Sequence, residues 1–167
     1  MSGLYELGEP ARISFGAIGP VGQRVFVLQA REGDSLVTLK LEKQQVAAIS
    51  RHLGQMLEDL PRPGELPGDE ELGLEEFDEP DFVVGTLAVA YDSSADRVVI
   101  LTEEAASEDE AGESARISCT REQAGALAIQ GVRLVEAGRP ACPLCGYPLD
   151  PRGHTCPRTN GHHAPLT

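Results

Sequence analysis

Short apolar runs separated by turn residues fill the first forty positions. The segments ISFGAI (13–18), RVFVLQA (24–30) and LVTLKL (36–41) alternate or cluster apolar residues as half-buried strands do. Gly19-Pro20 and Gly33-Asp34 punctuate them as turns. The period then changes from two to 3.6. In EKQQVAAISRHLGQMLEDL, Val46, Ile49, Leu53, Met56, Leu57 and Leu60 recur three and four apart, which predicts a helix with one apolar stripe. Pro61 ends it.

The same sequence of periods returns. FVVGTLAVAYD (82–92), RVVILTE (97–103) and SARISC (114–119) read as three more strands, with a turn at 93–96. TREQAGALAIQGVRLVEAG then reads as a helix with Ala124, Leu127, Gly131, Leu134 and Val135 on one face. Thr120 and Gln123 form a capping-box pair, and Gly138 supplies the left-handed stop. Local matches link the halves: FGAI (15–18) with VGTL (84–87), VFVLQ (25–29) with VVILT (98–102), and LEKQQV (41–46) with CTREQA (119–124). These predict an α+β body over residues 1–138, built from a duplicated βββα unit. Repeat one covers about 11–60, an acidic linker 61–81, and repeat two 82–138. The expected architecture is one antiparallel sheet, or a partly closed barrel, with two covering helices.

After Gly138 the pattern stops. Residues 139–167 are dense in Pro and Gly and have no sustained period, so they cannot fold on apolar burial alone. Their cysteines and histidines supply another means. Cys142 and Cys145 stand three apart in CPLCG, a spacing that puts both sulfurs on one metal ion, and turn residues lead to His154 and Cys156. Cys142, Cys145, His154 and Cys156 complete a Cys3His set for one structural Zn2+, with His162 or His163 as the alternative fourth ligand. A thioredoxin-like motif would open a helix after a strand, whereas this pair follows a helix stop. Four protein ligands leave no open position for water, which sets a zinc-dependent hydrolase behind a structural zinc knuckle.

Composition narrows the setting. The net charge is −13, but 17 of the 27 acids lie in two segments, 58–81 and 103–113. The simple reading of those segments is solvated loops; a docking surface for a basic partner is the sharper one. In the tail, Arg139, Arg152 and Arg158 with the lone aromatic Tyr147 make a weak patch for nucleic acid, so binding of that kind is the lesser alternative. No apolar run is long enough to span a bilayer, and no secretory leader is evident, so a cytoplasmic protein with reduced thiols is expected. Cys119, at a strand end before a helix cap, reads as a packed apolar residue, and His52 as a surface histidine. Gly16 and Gly85, at matching strand positions, read as bulges or close contacts.

The blocks F-G-A-I-G-x-x-G-Q-R, L-E-K-Q-Q-V, V-G-T-L-A-V-A-Y-D and the long C-terminal G-R-P-x-C-P-L-C-G-x-P-L-D-P-x-G-H-x-C-P-R-x-N-G-H run through the whole chain. In this order they closely resemble the actinobacterial domain-of-unknown-function family 3090. The resemblance implies a bacterial cytoplasmic protein in which Cys142, Cys145, His154 and Cys156 are the shared cluster, with Asn160 and Gly161 just beyond. It also implies genes for a histidine-phosphatase-like and a kinase-like protein nearby, and supplies no activity. The expectation from the residues is a non-enzymatic protein-binding or regulatory module with a protein partner; an enzyme with a pocket on the body sheet is the alternative.

Overall fold

The computed structural model describes residues 3–20, 22–105 and 112–137. Strand β1 (Leu4–Leu7) is followed by β2 (Arg12–Ile18), β3 (Val25–Glu32), β4 (Ser35–Leu41) and helix α1 (Lys43–Glu58). A 3-10 turn (Asp69–Glu71) interrupts the linker, and β5 (Phe82–Asp92), β6 (Arg97–Glu104), β7 (Ser114–Cys119) and α2 (Arg121–Glu136) complete the order. After β1, three strands and a helix thus follow one another twice. Strand β1 escaped the sequence reading because four residues, only two of them facing inward, carry too little period to register.

The strands form one seven-stranded sheet in the order β1-β7-β6-β5-β4-β3-β2. It is not the single antiparallel sheet expected. The meanders β2-β3-β4 and β5-β6-β7 are antiparallel, but β4 joins β5 in parallel, through Leu39 opposite Phe82 and Lys40 opposite Val83. Strand β1 also pairs β7 in parallel. The sheet is mixed and does not close into a barrel.

It must nevertheless curl. Strands β1 and β2 are consecutive in sequence yet lie at opposite ends of the strand order. On a flat sheet, six strand spacings would separate them by roughly 29 Å. The chain from Leu7 to Arg12 reaches at most about 18 Å. Curling brings the interior faces together, and the rings of Tyr5 on β1 and Phe82 on β5 stand 6.0 Å apart between centroids, although two strands lie between theirs.

The concave face holds the core: Ile13 and Phe15 from β2, Leu28 from β3, Leu39 from β4, Ile100 from β6 and Ile117 from β7. Alternation decides which residues face in, and β5 shows how it is kept. Phe82 and Val84 point inward, and then Leu87, Val89 and Tyr91 do. The parity changes because the pairing with β6 slips between Val84 and Thr86, the extra residue of a bulge. Gly85 sits in it, with Ala105 Cα 2.8 Å from where a Cβ would stand.

Both helices fill the concave side. Val46, Ile49 and Leu53 of α1 and Ala124, Leu127 and Ala128 of α2 join the core. Each helix start is closed by a glutamine in its first turn. Gln45 Oε1 accepts the Glu42 N–H at 2.8 Å, and Gln123 Oε1 accepts the Thr120 N–H at 3.0 Å. The Gln123 N–H donates in return to Thr120 Oγ1 at 3.0 Å, so the predicted capping box is formed. Helix α2 then covers the edge of the curled sheet. Gln130 Oε1 accepts the Phe15 N–H at 2.7 Å on the open side of β2, and Gln123 Nε2 donates to Pro10 O at 2.8 Å.

Gly131 makes this closure possible. A Cβ there would collide with Ser50 Oγ of α1 and stand 3.1 Å from the Phe15 ring. Ser50 Oγ is itself buried without a hydrogen-bond partner. Gly131→Ala is therefore expected to destabilise the fold by about 1–3 kcal/mol through overpacking, despite its better helix propensity. Ser50→Ala should cost nothing, because it deletes an unsatisfied hydroxyl. Urea unfolding of the two variants checks both signs.

Candidate functional site

Among the described residues, chemistry-bearing side chains gather at the linker clamp, at the hairpin joining β5 and β6, and in the groove beside β5.

The acidic linker is a largely solvated loop, its acids exposed apart from the half-buried Glu75, but the clamp pins it to the body. Arg121 Nη1 donates to the carbonyls of Pro61 (2.5 Å) and Arg62 (3.3 Å), and Glu122 accepts the Gly64 N–H at 2.9 Å. Leu66 packs 3.0 Å from the Cβ position of Gly125, and Gln130 Nε2 donates to Leu72 O at 3.3 Å. The linker thus follows α2 and then crosses the outer face of β2 and β3. There Leu74 lies directly on Gly16, where any Cβ would collide with it, so the close-contact reading of that glycine is correct.

Glu75 fastens the crossing. Arg31 grips its carboxylate with a fork, Nη2 to Oε1 at 2.6 Å and Nε to Oε2 at 3.0 Å, and Arg12 Nη2 adds a contact at 2.7 Å. The backbone of Glu75 is held as well. Gln29 Oε1 accepts its N–H at 2.8 Å, and Gln29 Nε2 donates to its carbonyl at 3.1 Å, so one buried amide imitates a strand partner. Arg12 also reaches Gly73 O at 2.6 Å and Ser14 Oγ at 2.8 Å. At the linker end, the Asp81 carboxylate accepts the Thr38 N–H at 2.8 Å. The arginines, Arg31 first and Arg12 second, hold the Glu75 carboxyl down at about 2 from its usual 4.5. The sequence signal was present only in part: Gln29 and Arg31 alternate with core residues of β3 and so face outward.

A smaller network pins the hairpin joining β5 and β6. Asp96, with a left-handed φ of 52°, accepts hydrogen bonds from Tyr91 Oη at 2.7 Å and from Arg121 Nε at 3.0 Å. Tyr91 and then Arg121 lower its carboxyl pKa. These polar groups hold one another; they serve the fold.

Cys119 is fully buried, and burial pushes its thiol up to about 12, which fits the packing role read from the sequence. His52 is exposed, as expected, but stands over a groove of about 290 Å3 between α1 and β5, with Ile49, Met56, Leu87 and Val89. A more open hollow of about 580 Å3 lies over the linker beside Ile18, Leu74 and Phe77. Among the described residues, no group of three or more His, Cys, Asp or Glu could hold a metal, and no helix is long and apolar enough to cross a membrane. Cys142, Cys145, His154, Cys156, His162 and His163 lie outside the described residues.

Fold and side chains together define an α+β protein with a curled mixed sheet, strapped by its acidic linker and followed by a cysteine-rich segment. The chain belongs to a family described as a protein of unknown function, DUF3090, whose model matches residues 5–156. Comparison with the curated proteins and with the solved structures gives no match.

Two outcomes follow. A carboxyl whose folded pKa lies below its unfolded one stabilises the fold above the unfolded value and loses that contribution as pH falls towards the folded one. The strap is thus expected to loosen between pH 4.5 and 2, and Glu75→Gln should be loosened at every pH, as read by protease cleavage within 61–81. Cys119 should resist thiol reagents at neutral pH in the native chain and react on unfolding, which peptide mapping of the labelled cysteine would show.

Proposed function

We infer that the protein is a non-enzymatic protein-binding or regulatory module carrying one structural Zn2+. The ligands are Cys142, Cys145 and Cys156 with His154, and His162 or His163 is the alternative to His154. The spacing of the four residues carries this reading: Cys-x2-Cys, a turn-rich interval, then His-x-Cys. The donor set fits the metal, since three thiolates and an imidazole match zinc, and iron would want a fourth thiolate. The family match supports the choice of histidine, because it runs through Cys156 and stops before His162 and His163. Bound zinc would supply cross-linking of a segment with too little apolar content to fold on its own. The setting consistent with three metal-bound thiols is the reducing cytoplasm.

The body supports a binding role in a different way. Its clustered charges, Glu75 with Arg12 and Arg31 and Asp96 with Arg121, are engaged with one another, even where Glu75 lines the open hollow beside Leu74 and Phe77.

Metal analysis of the purified full chain should give close to one zinc per molecule, and Cys145→Ser should abolish it. Metal-free wild type, isolated without chelator, overturns the zinc reading.

A further inference from the structure

Strand β5 has an open side for most of its length. Its pairing with β4 stops at Val83, yet the strand continues to Asp92. Which of its backbone groups face outward follows from the ladder. The Ala105 N–H reaches Val83 O at 2.9 Å and the Glu104 N–H reaches Glu113 O at 2.8 Å, so odd-numbered residues of β6 face β5 and even-numbered ones face β7. Val99 and Leu101 stand opposite Ala90 and Ala88, and these are the hydrogen-bonded pairs. The N–H and C=O groups of Leu87, Val89 and Tyr91 therefore point away from β6. Among the described residues, no backbone group receives them.

An unpaired edge is a template for another strand, and proteins normally blunt it with charge, proline or cover. The outer edges of this sheet follow that rule. Strand β2 has Gln130 on its Phe15 amide, and β1 is four residues long and includes Glu6. Residues 83–91 of β5 hold no charge and no proline.

Helix α1 turns the edge into a lane. Gln45 Nε2 donates to Val84 O at 3.2 Å and to Gly85 O at 3.3 Å, and further along both elements Ile49, His52 and Met56 face Leu87 and Val89 across the groove. The two elements therefore run in the same direction, with an apolar floor between them. The C-terminal end of α1 is acidic, while at the end of β5 Asp92 stands opposite Arg97. Glu58 closes α1, Asp59 follows, and no basic residue lies in the last turn of the helix. The helix C-terminus adds its own partial negative charge. A second copy of this chain, with a net charge of −13, would meet like charge there; a basic segment would meet its complement.

We propose that the open edge of β5 beside α1 is a strand-addition site for an extended segment of a partner protein, apolar at alternate positions and basic between them. The backbones of Leu87, Val89 and Tyr91 supply the hydrogen bonds, and the groove beneath His52 takes the apolar side chains. The proposal rests on the reading of the chain as a binding module and gives that reading a surface, but it uses no residue of the metal set.

The test uses the full chain and two synthetic eight-residue peptides, one alternating Val with Lys and one alternating Val with Glu. The Val-Lys peptide should slow hydrogen exchange at the Leu87, Val89 and Tyr91 amides at least tenfold and leave Ala88 and Ala90 unchanged; the Val-Glu peptide should do neither. Val89→Pro removes an outward N–H without breaking a bond to β6 and should weaken Val-Lys binding tenfold or more. His52→Lys, at an exposed position, should weaken it through charge with the fold intact. Protection of the three amides by both peptides, or by neither, overturns the proposal. Protection in the free chain that rises with protein concentration also overturns it and identifies a second copy as the occupant. Zinc content measured on the same samples keeps this outcome separate from that of the metal reading.

Discussion

Residues 8–11 must join two strands that lie at opposite ends of a seven-stranded sheet. That constraint shapes the rest of the molecule. A sheet bent far enough to satisfy it has a concave side with room for two helices, and a gap between its edges. Helix α2 covers that gap with side-chain amides, Gln130 on the Phe15 N–H and Gln123 on the Pro10 carbonyl. It comes close enough because Gly131 has no side chain where it meets Ser50 and Phe15. Burial of Leu53, Leu127 and their neighbours contributes about 1.5–3 kcal/mol for each large side chain, so filling the curl is what holds it.

The acidic linker acts on the opposite face. Polar residues pointing outward from β2 and β3 would ordinarily meet water, but here Gln29 and Ser14 are fully buried beneath the linker. Burying such groups is unfavourable unless each finds a partner; the Glu75 backbone partners Gln29, and Arg12 donates to Ser14 Oγ. Negative charge that looks like a solubility device in the sequence is, at Glu75 and again at Asp81, a fastening. Glu76, Asp78 and Glu79 have no hydrogen-bond or ion-pair role among the described contacts, so the strap depends on Glu75 and Asp81 and not on acidity as such.

Much of the body was legible from period alone. Six strands and both helices announce themselves by a period of two or 3.6, and the Thr120–Gln123 cap by its spacing. What failed to show has physical causes. Strand β1 is too short to carry a pattern. The parallel junctions depend on which strands meet across the curl, a tertiary outcome that alternation does not encode. The clamp depends on Arg12, Gln29, Arg31 and Glu75, separated by as many as 63 positions, so no local window contains it. The opposite holds for the C-terminal cluster, where four ligands within fifteen residues make the metal reading a purely local inference. The open side of β5 is set by where its pairing with β4 stops, a register that no local window contains.

The central claim is that side chains from α2 and the linker complete the sheet, one at its edge and one on its outer face. Native-state hydrogen exchange of the full chain tests this directly at two amides whose acceptors are side-chain oxygens: Phe15, bonded to Gln130, and Glu75, bonded to Gln29. The account predicts that both exchange as slowly as amides of the central ladder, such as that of Ile100. Exchange at the rates of an unstructured loop, at Glu75 together with the rest of 61–81, would contradict it.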